Sequence, residues 1–103
     1  MKKKIEIEIV HIRSGVEGEF IGRPSVLGNK FYIGRDGSRD EVIEKYKVWL
    51  YEKIEIKDEM VMKELNRLMN IVKRKKLVLV CYCAPLRCHG DIIKEYLISM
   101  RGE

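Results

Sequence analysis

The polar and apolar positions of the chain begin with a strict alternation. In residues 4–13, KIEIEIVHIR, Ile5, Ile7 and Ile9 fall on one side and Glu6 and Glu8 on the other, and the pattern turns apolar on both sides at Val10 and Ile12. A period of two marks a strand, here exposed at one end and buried at the other. His11 continues the isoleucine side and Arg13 follows it, both where the strand ends. Residues 77–82, LVLVCY, are apolar without a break and partly β-branched, which predicts a second strand covered on both faces.

Between and after these strands the period changes to that of a helix. Ser38-Arg39-Asp40-Glu41 reads as a capping box and opens a helix to about Tyr51, with Val42, Ile43, Tyr46, Trp49 and Leu50 on one side. Asp58 caps a second helix whose stripe is Val61, Leu65, Leu68 and Val72, with Met60, Met62 and Met69 beside or near it. The basic run at 73–76 marks its end. A third helix begins around Cys88 to Asp91 and presents Ile92, Ile93, Tyr96, Leu97 and Met100. Residues 18–41 are loop-rich, punctuated by Pro24, Gly28-Asn29 and Asp36-Gly37 around two short apolar runs, Phe20-Ile21 and Phe31-Tyr32-Ile33. The expected architecture is a single small α/β domain over residues 1–103. Its short sheet, mostly parallel or mixed, is packed by about three helices and carries a strand–Cys loop–helix unit at the C-terminal end.

Composition narrows the class of protein. The 103 residues suffice for one core. Residues 1–4 are basic but run into alternating glutamates, so no signal peptide is read, and no apolar run is long enough to span a bilayer. A cytoplasmic protein is expected. The absence of Gln and Thr beside abundant Lys, Glu and Ile leans towards a thermophilic source. The net charge of +5 is concentrated at Lys2-Lys3-Lys4 and Lys73-Arg74-Lys75-Lys76. Such runs can follow phosphates, but a solvated face or the favourable end of a helix dipole is the commoner role.

Residues 79–92, LVCYCAPLRCHGDI, hold all three cysteines and one of the two histidines. Alternation along the strand assigns Cys81 to the core. Pro85 keeps Ala84 extended. Cys88 then stands at the N-cap with Asp91 at N3, or Asp91 is itself the N-cap. Either choice sets the Cys88 sulfur near the positive end of a helix, where a thiol is activated if accessible, with Gly90 and free N–H groups forming an anion cradle. Three chemistries compete. One is a thiolate nucleophile at Cys88 or Cys83 with His89 or His11 as base. A second is zinc held by Cys83, Cys88 and His89, in a C-x-C-x4-C-H spacing unlike the usual knuckles. The third is an inert turn with at most a redox-labile Cys83–Cys88 pair. Cys81 and Arg87 also fit a short C-x5-R pattern like that of cysteine phosphatases. Five of the eight arginines (Arg13, Arg23, Arg35, Arg39 and Arg87) lie in or beside loops, where planar guanidinium groups suit phosphate or carboxylate, or form surface ion pairs.

Two stretches together, IGRPSVLGNKFYIGRDGSRDEVIEKYKVWL and CYCAPLRCHGDII, resemble the Domain of Unknown Function 4326 family. Its members show G-R-P-S-x-x-G-N-P-F, then I-G-x-D-G-[ST]-R-x-E, then C-[WY]-C-x-P-x-x-C-H-[GA]-D. Lys30 and Arg87 depart from positions where the family favours proline. The resemblance brings no reaction with it. If its distant motifs meet in space, it implies that Arg23, Ser25, Asn29 and Arg39 face Cys83, Cys88 and His89 across one rim.

The expected function is therefore a binding protein or enzyme for a phosphorylated, nucleotide-like small molecule. Its reactive set is Cys83, Cys88 and His89, and its ligand-binding set is Arg23, Ser25, Asn29, Arg39, Asp91 and His11. It needs no cofactor, with zinc as the alternative. A metal-stabilised or basic nucleic-acid-binding module is the second reading, and a homodimeric interaction protein the third. No membrane partner is expected.

Overall fold

In the computed structural model, which describes residues 5–102, the apolar run forms the middle of a three-stranded sheet. The Lys2-Lys3-Lys4 run lies outside the described residues. In chain order the elements are β1 (Ile7–His11), a short 3-10 turn (Ile12–Ser14), β2 (Glu19–Phe20), α1 (Arg39–Glu55), α2 (Glu59–Val72), β3 (Leu77–Cys81) and α3 (His89–Gly102). The strand order is β1-β3-β2, and both outer strands run parallel to β3. The fold is α/β, and its described strands are wholly parallel.

The register decides what points where. Ile7, Ile9 and His11 stand beside Leu77, Leu79 and Cys81, so the isoleucine side of β1 and the inward side of β3 form one face. On that face Ile7, Leu77, Leu79 and Cys81 join residues from all three helices in a single core. At Gly18, just before β2, an added Cβ would sit 2.6 Å from the Val78 carbonyl oxygen, so the chain passes close beside β3 there. The helices therefore bury the inward side of β3, while on the other side Val80 is buried and Val78 only partly so.

The helices follow their apolar stripes. All four stripe residues of α2 are buried, each contributing about 1.5–3 kcal/mol of transfer free energy. The Asp58 carboxylate accepts the Val61 N–H at 3.1 Å, capping that helix. The capping box of α1 closes both ways: Ser38 Oγ accepts the Glu41 N–H at 3.2 Å and the Glu41 carboxylate accepts the Ser38 N–H at 2.8 Å. This helix continues past Tyr51 to Glu55, because Glu52, Lys53 and Glu55 are strong helix formers that leave no mark on an apolar stripe. Met100 does not belong to the core stripe of α3 and is exposed. No helix among the described residues is long and apolar enough to cross a membrane.

Candidate functional site

At the end of β3 the alternation of side chains sends Cys81 into the core and Tyr82 out, and Cys83 follows partly exposed. The chain then turns, with the Leu86 N–H donating to the Cys83 carbonyl at 2.9 Å, and enters α3. Cys88 precedes the helix and caps it. Its sulfur accepts the Gly90 N–H at 3.3 Å while the Asp91 carboxylate accepts the Cys88 N–H at 2.9 Å, the reciprocal pattern of a capping box built on a thiol. The Cys88 N-cap reading is therefore the one realised.

This arrangement corrects the expected anion cradle. The Cys88 and Gly90 N–H groups are already used within the cap. A Cβ on Gly90 would lie 2.9 Å from Ile21 Cδ1 and 3.3 Å from Cys88 Sγ, so glycine is there for close packing. Asp91 serves the cap and is not on the cavity wall.

The sulfurs pair differently from the expected Cys83–Cys88 couple. All three cysteines are free, and the close contact is between Cys81 Sγ and Cys88 Sγ, 3.5 Å apart and buried. The Cys88 thiol's hydrogen bond draws the Cys81 thiol down to about 6 against the opposing effect of burial, with the Cys83 and Ala84 N–H groups adding to the pull. The same contact, with burial, pushes the Cys88 thiol up. One proton is thus held between two sulfurs.

The loop following β2 is fastened to this unit by two buried hydrogen bonds. His89 Nε2 donates to the Ile21 carbonyl at 2.7 Å, and the Tyr46 hydroxyl donates to the Leu27 carbonyl at 2.7 Å. The Tyr46 and His89 rings meet edge to face at 5.0 Å. Burial holds His89 below the ordinary histidine range, so the ring is neutral near pH 7, and the proton on Nε2 leaves the lone pair on Nδ1. Gly22 is required by the rings around it, since a Cβ there would lie 2.6 Å from Phe20 Cζ and 3.3 Å from Tyr82 Cε2.

These ties bring the two distant stretches together around a cavity of about 310 Å³. From the first stretch come Arg23, Asn29, Phe31, Tyr32 and Arg39, and from the second Tyr82, Cys83, Arg87, Cys88 and His89. Three guanidinium groups line it, and no described Asp or Glu does. Arg23 donates to the Asn29 carbonyl at 2.6 Å and lies over the Tyr32 ring, 4.0 Å from its centroid. Arg39 donates to the Arg87 carbonyl at 3.2 Å, and Arg87 in turn reaches Asp40 at 3.1 Å. Asn29 is buried, and its Oδ1 accepts the Phe31 N–H at 2.9 Å.

Of the residues singled out in the sequence, Arg23, Asn29, Arg39, Cys83, Cys88 and His89 share this cavity. Ser25, His11 and Asp91 do not line it. Ser25 Oγ is buried without a hydrogen-bond partner, and its backbone closes turns to Gly22 and Gly28. His11 does lie on a strand parallel to and beside β3, opposite Cys81, and its Nδ1 accepts the Arg13 N–H at 3.0 Å. Among the described residues no three His, Cys, Asp or Glu side chains gather so as to hold a metal, and Cys83, Cys88 and His89 do not converge as zinc ligands. The C-x5-R pair is likewise separated, with Cys81 wholly buried in the core and Arg87 at the rim. Sequence reasoning counted Arg87 among the loop arginines suited to an anion but left it out of the ligand-binding set, and it missed the aromatic walls Tyr32 and Tyr82. The departure of Arg87 from the family pattern made it look incidental, and rings in irregular loops carry no periodic signal.

Comparison with protein families matches residues 10–99 to the family described as "Domain of unknown function (DUF4326)". Comparison with curated proteins and with solved structures returns no match.

Proposed function

We propose, for a chain that belongs to the DUF4326 family of domains of unknown function, that its cavity binds a phosphorylated, nucleotide-like small molecule. The observation that carries this reading is the lining: three arginines and no described carboxylate, together with the rings of Phe31, Tyr32 and Tyr82. Guanidinium groups complement a phosphate in charge and in fork geometry, and aromatic faces suit a planar base. The position also fits, because ligands of parallel α/β sheets bind beyond the carboxyl ends of the strands, where Tyr82 and Cys83 follow β3. The cavity volume lies at the small end of the range for ligand sites, which favours a mononucleotide over a dinucleotide.

Within this reading Arg39 and Arg87 hold the phosphate, and Arg23 with Tyr32 forms part of the platform for the ring system. Any covalent step on the ligand is assigned to Cys83, the partly exposed thiol of the cavity, while Cys88 is 2% exposed and occupied in capping α3. His89 positions the loop through Ile21 and offers only Nδ1 as a base.

Calorimetric titration with AMP, adenosine and inorganic phosphate tests the proposal. AMP should bind at one site per chain, adenosine more weakly by about tenfold or more, and added salt should weaken AMP. Absence of AMP binding into the millimolar range, or equal affinity for adenosine, would refute it.

A further inference from the structure

The buried sulfur pair behind the cavity is not used in binding a ligand. Cys81 Sγ and Cys88 Sγ stand 3.5 Å apart, and each accepts a backbone N–H, from Cys83 at 3.4 Å and from Gly90 at 3.3 Å. The pair joins the end of β3 to the start of α3 across the turn that carries Cys83 and Arg87. Cys88 also lines the cavity, which gives a small oxidant a path to one of the two sulfurs.

We propose that Cys81 and Cys88 are a reversible disulfide site, closed by a hydroperoxide that enters through the cavity and reopened by a small-molecule thiol. The proton shared in the Sγ–Sγ contact rests on Cys88, and when it passes across that contact to Cys81 the Cys88 thiolate attacks one peroxide oxygen. An S–O bond forms, the O–O bond breaks, and the departing hydroxide takes the Cys81 proton to become water. The Cys81 thiolate then attacks the sulfenic sulfur of Cys88. The S–S bond forms, the S–O bond breaks, and the leaving hydroxide is protonated from solvent to a second water. Both sulfurs are oxidised and the peroxide is reduced. In the reverse direction two equivalents of thiol reduce the bond through a mixed disulfide. Closure needs the sulfurs to approach from contact distance to bonding distance, about 2.0 Å, a shift that side-chain rotation and the exposed turn between them can absorb.

The sulfenic intermediate at Cys88 is protected from further oxidation because its resolving thiol is already in contact. Cys83, partly exposed and with no sulfur bonded to it, has no such protection. The outcome of peroxide treatment should therefore differ between the pair and the third cysteine.

The test treats the folded full-length chain with hydrogen peroxide, blocks remaining thiols with iodoacetamide and maps cross-linked peptides by mass spectrometry. The expected product carries a Cys81–Cys88 cross-link with Cys83 alkylated or further oxidised, and dithiothreitol restores the Cys81 and Cys88 thiols alone. The Cys83→Ser variant, which leaves the pair intact, should give the same cross-link at the same rate. A cross-link that contains Cys83, or peroxide treatment that oxidises Cys83 while Cys81 and Cys88 stay reduced, would overturn the proposal. Neither outcome depends on whether the cavity binds a nucleotide, so failure here leaves the binding reading to its own titration.

Discussion

The front and back walls of the cavity are built from the same short stretches and held in opposite ways. The front wall, Arg23, Tyr32, Arg39 and Arg87, projects from loops and helix starts. Its contacts are single hydrogen bonds to carbonyls, ring stacking and exposed ion pairs. The back wall, Asn29, Cys88 and His89, is buried, and each of these side chains makes a hydrogen bond to the backbone. The front can change with little effect on folding, since exposed ion pairs contribute about 0–1 kcal/mol. Losing a buried partner is more costly, because the group left behind stays desolvated. Binding and stability should therefore separate across one cavity.

The largest effect is expected directly behind the back wall. Tyr46 is fully buried, fastens Leu27 and packs on His89. Tyr46→Ala should lower unfolding free energy by about 3–5 kcal/mol, measured by chemical denaturation. Tyr46→Phe, which loses only the hydroxyl, should cost about 1–3 kcal/mol. If both variants were as stable as the parent, the back wall would not be the scaffold described.

On the front wall, Arg39→Ala and Arg87→Ala should each weaken AMP by roughly ten- to a hundredfold, the loss of a charge-assisted contact worth about 1.5–3 kcal/mol. Their melting temperatures should stay near that of the parent. A large drop in stability without a change in affinity would reverse the comparison.

His89 gives a pH test of the back wall. Its folded-state value lies below the ordinary 6.5, so the unfolded chain takes up the proton first. The stability due to the neutral ring is fully present above pH 6.5 and is lost as pH falls through the folded-state value. His89→Gln, whose amide can still donate to the Ile21 carbonyl, should flatten this slope of stability against pH. An unchanged slope would mean that His89 is not held neutral by burial.

The smallest effect is expected at Asp40, which is exposed and holds Arg87 at 3.1 Å. Asp40→Asn should change stability by less than about 1 kcal/mol. It should also tighten AMP slightly, since a competing carboxylate is removed from Arg87.

The helices and the central strand were legible because burial imposes a period. The four stripe residues of α2 and the capping box of α1 appear where the spacing predicts them. A two-residue strand such as Glu19–Phe20 has no period to read, and its pairing with Leu79 and Val80 depends on the fold. Arg23, Asn29 and Arg39 were legible as loop residues suited to anions. Arg87 was legible as a loop arginine but not as part of the site, and Tyr32 and Tyr82 were not legible at all, since their position on the cavity depends on how the loops meet. The Cys81–Cys88 contact was hidden for the same reason. The two are seven positions apart, and only the turn through Pro85 and the start of α3 bring the sulfurs together.

The most direct test of the cavity is an NMR titration of the labelled, folded protein with AMP, following backbone amides and arginine Nε signals. The prediction is a saturable set of shifts confined to residues 22–39 and 82–89, with the Arg39 and Arg87 Nε signals among the largest. Shifts centred instead on the basic run at 73–76, or none at saturating nucleotide, would contradict the assignment of this cavity as the ligand site.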